Sequence, residues 1–305
     1  MKALSTIYIG TSGWSYPRGE GTWNGFFYPP GKIVELEYFS QYFNTVEINS
    51  SFYRPPNPGY VYNWVKRVPA GFLFAMKLWQ KFTHPRMYRD ATGQEAIISQ
   101  ADVDTFRSSI DPLAKSGKLG ALLAQFPPSF KNNGYGRQIL EAVARTFGEY
   151  PLAVELRHRS WSDDENTTVF LRENNIAWVQ IDEPKFSTSV AQEVPVTADI
   201  AYFRFHGRNA RDWWGGNSEQ RYRYHYDEAE IEQLAERVKT AGESARMLFA
   251  YFNNHWQAYA PRNANDLKKA LQLPFTEIQM TLDFEKTTDI DDTKSEGNDG
   301  KRRTS

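Results

Sequence analysis

The 305-residue sequence contains no cysteine. This absence excludes disulfides, zinc–thiolate sites and cysteine nucleophiles, and it is typical of proteins kept in a reducing compartment. No apolar run is long enough to span a membrane, and the first residues lack the charged and then apolar segment of a secretion signal. We therefore expect a cytoplasmic protein with no membrane partner.

Net charge is equally scarce, because 36 lysines and arginines nearly balance 37 aspartates and glutamates. A chain with a formal net charge of −1 has no global field that recruits nucleic acid, so anion binding must come from a local patch. Aromatic residues are abundant instead, with 9 Trp, 17 Tyr and 20 Phe. Most of these will fill the interior, so only those in polar loops bear on function.

Short apolar runs recur along the chain, and several are hydrophobic almost throughout, as is typical of parallel strands buried on both faces. They cover residues 6–11, 45–48, 72–77, 119–125, 152–157, 177–181, 200–206 and 247–251. Helical patterns separate many of them, and capping boxes are predicted at Ser162 with Glu165 and at Asp227 with Glu230. This alternation predicts an α/β protein with the (β/α)8 fold of the TIM barrel.

The segment between the sixth and seventh predicted strands, residues 182–199, departs from this pattern. It contains Pro184 and Pro195 and no apolar helical stripe, so we expect an irregular crossover there. An open doubly wound sheet is the alternative fold, but no glycine-rich phosphate fingerprint follows any strand. We expect one barrel domain over residues 1–285. The polar composition of residues 286–305 predicts a disordered tail.

Polar and ionisable side chains follow nearly every predicted strand, at the end of the barrel where TIM-barrel enzymes have their active sites. Residues two apart share a face of a strand, which groups Glu47 with Asn49, Glu155 with Arg157, and Arg204 with His206. Any one of these acids could instead close the barrel mouth through an ion pair, and any one histidine could be structural. For the ring as a whole we favour a functional site.

Two long polar loops are expected at the same end, over residues 79–100 and 207–226, and loops of this length are usually functional. The second contains Arg221-Tyr222-Arg223-Tyr224, in which arginine alternates with an aromatic ring. Such a pattern suits a phosphate backbone with stackable bases, and it also suits sugars. The alternative is that the tyrosines pack on the barrel while the arginines extend to water.

Several short motifs occur in a fixed order over about residues 6–285. They are Gly-Thr-Ser-Gly-Trp at 10–14, Glu-Ile-Asn-Ser-Ser-Phe-Tyr at 47–53, Thr-His-Pro at 83–85, Gln-Phe-Pro-Pro-Ser-Phe at 125–130, Val-Glu-Leu-Arg-His at 154–158, Phe-His-Gly-Arg at 205–208 and Tyr-Phe-Asn-Asn-His at 251–255. Together they resemble the YecE-like family, the domain of unknown function 72. The resemblance implies a TIM barrel, and it brings no established activity with it.

The leading hypothesis is an enzyme with hydrolase-like acid–base chemistry on an anionic substrate: a sugar phosphate, a nucleotide or a nucleic-acid strand. The expected catalytic residues are Glu47, Glu155 and His206. The expected substrate-binding residues are Trp14, Asn49, Tyr53, Lys77, Arg157, Arg204, Arg208, Trp214, Asn253, Asn254 and His255. Amides are poor acids and bases, so Asn253 and Asn254 are expected to position the substrate rather than react.

Two other functions stay open at this point. A non-catalytic nucleic-acid-binding protein would use the Arg/Tyr-rich loop 207–226, and its affinity would fall steeply with salt. A metal-dependent phosphodiesterase would need oxygen and nitrogen ligands, which could come from Glu47, Glu155, Asp182, His206 and His255. The sequence has neither a His-x-x-x-His nor a His-Glu-x-x-His spacing, and no cofactor motif. We therefore expect neither a bound metal nor a cofactor.

Overall fold

Parallel strands form a single sheet in the computed structural model, which describes residues 5–215 and 218–278. The strands are β1 (Thr6–Ser12), β2 (Thr45–Ile48), β3 (Leu73–Lys77), β4 (Leu119–Gln125), β5 (Leu152–Glu155), β6 (Ile176–Trp178), β7 (Gln180–Asp182), β8 (Ile200–Phe205) and β9 (Met247–Phe252). Their order in the sheet is β6-β5-β4-β3-β2-β1-β9-β8-β7. Only Val179 separates β6 from β7 in the chain, so the two ends of the sheet meet and the barrel is nearly closed.

Helices alternate with these strands and cover the outside of the barrel. They are α1 (Glu35–Phe39), α2 (Pro58–Lys66), α3 (Gln80–Thr83), α4 (Pro85–Thr92), α5 (Gln100–Lys115), α6 (Gly134–Phe147), α7 (Glu165–Glu173), α8 (Ser218–Arg221), α9 (Glu228–Gly242) and α10 (Tyr259–Ala270). The predicted TIM barrel is confirmed. The predicted sixth strand is present as two short pieces, β6 paired with β5 and β7 paired with β8.

The segment that joins β7 to β8 contains no helix, so the predicted irregular crossover is confirmed. Thr197 anchors it to the barrel: its hydroxyl donates to the carbonyl of Ile176 at 2.6 Å and accepts from the backbone N–H of Trp178 at 2.9 Å. In place of a packed helix, these two hydrogen bonds hold the crossover against the barrel wall.

Side-chain caps define where several helices begin. Asp227 and Glu230 form the predicted capping box at the start of α9. The capping box predicted at Ser162 is wrong, because the carboxylate of Asp164 caps α7 by accepting from the backbone N–H of Asn166. The hydroxyl of Ser162 donates instead to the carbonyl of Arg159 at 3.0 Å.

The barrel interior is closed by a layer of aromatic rings beneath the carboxyl ends of the strands. The ring of Phe249 lies 5.1 Å from that of Tyr8, and the rings of Tyr202 and Tyr251 are 5.2 Å apart. A Cβ added at Gly10 would lie 2.0 Å from the carbonyl oxygen of Thr45, so only glycine fits beside this layer. The interior is therefore a packed core with one accessible end.

The chain beyond residue 278, including the predicted tail 286–305, lies outside the described residues, so the prediction of a single domain followed by a disordered tail stays a prediction. Within the described ranges, no helix is long and apolar enough to cross a membrane.

Candidate functional site

Arg204 lies at the centre of the barrel mouth and is 2% exposed. Its Nη2 donates to Glu47 Oε1 at 2.8 Å, and its Nη1 donates to Glu155 Oε2 at 2.6 Å. Glu47 also accepts from the hydroxyls of Ser12 at 2.8 Å and Tyr202 at 2.7 Å. The ends of β1, β2, β5 and β8 are thereby tied together by one buried guanidinium.

Glu155 is held by a second guanidinium. Arg157 Nε donates to Glu155 Oε1 at 2.6 Å, on the side opposite Arg204. Burial alone would raise the pKa of Glu155, but Arg157 and Arg204 hold it well below its usual value. We call Glu47, Glu155, Arg157 and Arg204 the inner cluster. The carboxyl of Glu155 is therefore an anion at neutral pH.

Glu183 faces the same cluster, although the sequence did not single it out. Its Oε2 lies 3.3 Å from Arg157 Nη1, and this buried oxygen has no hydrogen-bond partner among the described residues. Burial raises the pKa of Glu183. The register could have revealed it: Ile181 is paired with Arg204 and so points inward, and Glu183 is two residues further on.

His206 is fully buried between Arg157 and Asn253. Burial, with help from Arg204, lowers the pKa of His206 to about 3, so the ring is neutral and its 3.7 Å approach to Glu155 is not an ion pair. Arg157 Nη2 lies 3.1 Å from Nε2, and Asn253 Nδ2 lies 3.0 Å from Nδ1, so a guanidinium and an amide hold the ring from its two edges.

Lys77 ends β3, and it shares the inward face with Ala75, which is paired with Glu47. Its Nζ lies 4.0 Å from the centre of the Phe52 ring. Burial and the neighbouring charge of Arg204 lower the pKa of Lys77 to about 7. The amine is thus close to half neutral at physiological pH.

Rings line one side of the mouth. The ring of His255 stacks on that of Tyr16 at 4.6 Å, and the ring of Tyr222 lies 5.3 Å from His255 and 6.1 Å from His206. Burial lowers the pKa of His255 to about 4, so it stands in this wall as a neutral ring. Tyr16 and Tyr222 were not among the predicted site residues. Tyr222 belongs to the Arg/Tyr pattern that the sequence did indicate, whereas Tyr16 carries no sequence signal.

His84 contacts the ring of Phe52 edge-on at 4.9 Å, the same ring that Lys77 Nζ approaches. Burial, together with the charge of Lys77, lowers the pKa of His84 to about 3. His84 also lines a cleft of about 740 Å³ between the segments that follow β3 and β4. The predicted loop 79–100 forms one wall of this cleft with the short helices α3 and α4.

Arg208 is turned away from the mouth. It donates to Asp182 through Nε at 2.9 Å and Nη2 at 3.0 Å, and to Glu230 through Nη1 at 2.9 Å. Asp182 also accepts from Tyr226 at 2.9 Å and from Arg237 at 3.2 Å. We call these five residues the outer cluster, because Asp182 is paired with Phe205 and faces the helices.

Several other predicted residues are not brought to the inner cluster. Trp14 packs edge-on against Trp64 at 5.3 Å, and Trp214 is 62% exposed. Asn254 donates to the carbonyl of Tyr224 and to Asn263, both at 2.8 Å, and so ties the loop 207–226 to α10.

Asn49 and Tyr53 occupy the rim of the mouth. Asn49 follows Glu47 by two residues, and its buried Oδ1 has no partner among the described residues. Tyr53 is exposed, and its carbonyl accepts from the indole of Trp79 at 3.2 Å.

The Arg/Tyr-rich loop 207–226 packs largely on the barrel. Tyr226 is buried, and the hydroxyl of Tyr224 donates to Glu230 at 2.6 Å. The guanidinium of Arg221 lies 5.9 Å from the ring of Trp213. These rings are engaged with the protein, so they do not form a free stacking surface for bases.

The donors that a metal site would require are dispersed. Glu47 and Glu155 are paired with arginine, and Asp182 faces outward. Within the part of the chain that the structure describes, no group of three or more His, Asp or Glu could hold a metal ion.

Comparison with known proteins covers nearly the whole barrel. The family described as "Protein of unknown function DUF72" matches residues 8–287. The chain is 30% identical over 284 residues to the UPF0759 protein YunF of Bacillus subtilis, covering 88% of this chain and 96% of that protein. It is 28% identical over 158 residues to the UPF0759 protein YecE of Escherichia coli K12, covering 50% of this chain and 48% of that protein.

Solved structures show the same fold. A DUF72 family protein from Thermotoga maritima is 35% identical, with a TM-score of 0.75 over 88% of this chain and 99% of that one. A DUF72 family protein from Enterococcus faecalis V583 is 28% identical, with a TM-score of 0.76 over 90% of this chain and 98% of that one. The predicted family and barrel are both confirmed.

Proposed function

The chain belongs to the DUF72 family of proteins of unknown function, and from that premise we propose that it is an acid–base enzyme. Its substrate is a small anionic, ring-bearing molecule, a sugar phosphate or a nucleotide, held in the barrel mouth over the inner cluster. Hydrolysis is the reaction that we propose first.

One observation carries this proposal: two carboxyl groups on the same arginine have pKa values driven in opposite directions. Arg157 lies 2.6 Å from Glu155, whose pKa is held well below its usual value, and 3.3 Å from Glu183, whose pKa is raised by burial. Neighbouring carboxyls with separated pKa values are a recurring sign of assigned acid and base roles.

The acid–base role therefore moves from Glu47 and Glu155 to Glu183. The first two form buried ion pairs with Arg204. Their task is to fix the guanidinium groups of Arg204 and Arg157. Glu183 has an oxygen without a hydrogen-bond partner among the described residues, as a proton-exchanging group requires.

The same geometry favours an anionic substrate with a ring. Arg157 Nη1 approaches Glu183 without forming a hydrogen bond, so it can donate to a phosphate or carboxylate oxygen instead. Lys77 supplies a second cation when it is protonated. The stacked rings of Tyr16 and His255 offer an apolar face to a sugar or base.

A substrate screen tests the proposal. Purified protein would be incubated with sugar phosphates, nucleotides and short oligonucleotides, while product release and melting temperature are measured. We expect Glu183→Gln to lower kcat by about 100-fold or more on any substrate that is turned over. Glu236→Gln is the matched control, because that carboxylate is exposed and forms an ion pair with Lys239 on the same helix.

The proposal fails if no member of the panel is consumed and none raises the melting temperature. It also fails if Glu183→Gln retains the activity of the Glu236→Gln control.

A further inference from the structure

The amine of Lys77 is the exception among the charged groups of the barrel mouth. Arg204, Arg157 and the carboxylates of the inner cluster all have ionic partners within 3 Å. Lys77 Nζ forms no hydrogen bond or ion pair with the residues that the structure describes. Its nearest contact of note is the face of the Phe52 ring, at 4.0 Å.

An ammonium group needs acceptors for three protons, and this site supplies none from the described residues. The charged and titratable groups that act on Lys77 come from β2, β5, β8 and the segment after β3. They are Glu47, Glu155, Arg157, Arg204 and His84. Arg157 and Arg204 oppose the ammonium charge, and partial burial adds to that effect, so the neutral amine is accessible.

We propose that Lys77 is a covalent nucleophile and that its substrate class is an anionic aldehyde or ketone, an α-keto acid or the open-chain form of a sugar phosphate. A lysine beside other cations in a desolvated site is a recognised route to an activated amine. The inference rests on the proposed function in one respect, that the mouth binds an anionic substrate.

The chemical step balances without an added oxidant or reductant. The lone pair of Nζ forms a C–N bond to the carbonyl carbon, and the oxygen takes the proton that leaves nitrogen. A second proton from solvent lets that oxygen leave as water, and the nitrogen lone pair completes a C=N bond. The product is an iminium cation, and the carboxylates of Glu155 and Glu47 favour its positive charge.

Imine trapping tests this inference on the full chain. The protein would be incubated at pH 7 with sodium cyanoborohydride and either pyruvate or dihydroxyacetone phosphate, and the labelled lysines mapped by mass spectrometry. We expect Lys77 to be labelled at least about 10-fold faster than the exposed Lys115, because a pKa of about 7 leaves a large neutral fraction of the Lys77 amine at pH 7. The labelling rate of Lys77 should rise with pH to a midpoint near 7.

Two variants complete the experiment. Lys77→Arg keeps the charge and should lose the label, while Lys115→Arg should leave labelling of Lys77 unchanged. Labelling of Lys77 no faster than that of Lys115 in the unmodified protein overturns the inference, whether or not the variant folds. If ligands from the panel still raise the melting temperature in that case, the proposed function stands and only the covalent role of Lys77 is lost.

Discussion

Two buried groups of arginines and carboxylates lie at the same end of this barrel, and they differ in how completely the carboxylates in and beside them are hydrogen-bonded. In the outer cluster, Asp182 accepts from Arg208, Tyr226 and Arg237, and Glu230 accepts the remaining arm of Arg208. In the inner cluster, Arg204 and Glu155 are as tightly paired, but the groups that border them are not.

Two groups at the edge of the inner cluster have polar atoms that form no hydrogen bond with the described residues. Glu183 has an oxygen and Lys77 an amine without hydrogen-bond partners among the described residues. Unfilled polar groups at depth are costly, and folding alone gives no reason to keep them. The outer cluster is explained by the attachment of α9 and the crossover to the barrel. The open oxygen of Glu183 beside the inner cluster supports the proposal that a substrate binds there.

Removing the central cation of the inner cluster should have the largest effect on stability. Arg204→Met leaves Glu47 and Glu155 buried without their partner, which should lower the free energy of unfolding by about 3–5 kcal/mol. Urea denaturation measures this. The control is Arg159→Met, which breaks an exposed pair with Asp163 and should cost less than about 1 kcal/mol. Equal losses in the two variants would contradict the central role of Arg204.

Removing the central anion of the outer cluster should destabilise the fold and leave the chemistry of the mouth intact. Asp182→Asn should lower the free energy of unfolding by about 1.5–3 kcal/mol, because hydrogen bonds to a charged group are lost. The rate at which Lys77 is labelled should not change. A large fall in that rate would show that the two clusters are coupled, and the contrast drawn between them would be wrong.

The pH dependence of stability should separate the two clusters. The pKa of His206 and that of His84 are both lowered to about 3, below the value near 6.5 of an unfolded chain. Between these pH values the unfolded chain binds protons that the folded protein does not. Stability should therefore fall with pH below about 6.5, by about 1.4 kcal/mol per pH unit for each histidine.

Asp182 affects stability in a lower pH range than the histidines do. Burial raises its pKa, but Arg208, Tyr226 and Arg237 together outweigh burial and depress the folded pKa, so its contribution is present above the unfolded pKa of about 3.9 and lost below it. Urea midpoints between pH 7 and 3 test both windows. A flat profile from pH 7 to 5 would contradict the assignment of neutral, buried histidines.

The smallest expected effect comes from matched substitutions of arginine by lysine. Arg208→Lys keeps the charge but loses the forked contact with Asp182, which should cost about 1 kcal/mol of stability without changing ligand binding. Arg157→Lys should weaken the response of the melting temperature to phosphorylated ligands. The contrast between the clusters fails if both variants respond alike to those ligands.

The barrel could be predicted from the sequence because its strands are nearly continuous apolar runs, and because the polar side chains at the strand ends alternate in direction. Side chains two residues apart share one face of a strand, which predicts that Glu47, Glu155 and Arg204 point inward. In the structure Arg204 forms ion pairs with both carboxylates. The irregular crossover could be predicted as well, because Pro184 and Pro195 rule out a long helix.

Register and partners were beyond the reach of the sequence. Asp182 and Glu183 are adjacent acids after one strand, and only the pairing of β7 with β8 shows that the first faces the helices and the second the mouth. Arg208 and Arg157 both lie in family motifs. The carboxylate partners of Arg208, however, belong to the outer cluster and face the helices. That the described residues offer Lys77 Nζ no hydrogen-bond partner follows from the three-dimensional arrangement and not from any sequence pattern.

The strand pairing of the wall is interrupted at Val179. Arg157 follows β5, which is paired with β6, whereas Glu183 follows β7, which is paired with β8. Backbone hydrogen bonds close this interruption: the N–H of Val179 donates to the carbonyl of Val154 at 2.9 Å, and the N–H of Val190 donates to the carbonyl of Arg157 at 2.8 Å. The main chain therefore sets the 3.3 Å separation of Arg157 Nη1 and Glu183 Oε2, and a shift of the acid against the cation would have to break backbone hydrogen bonds.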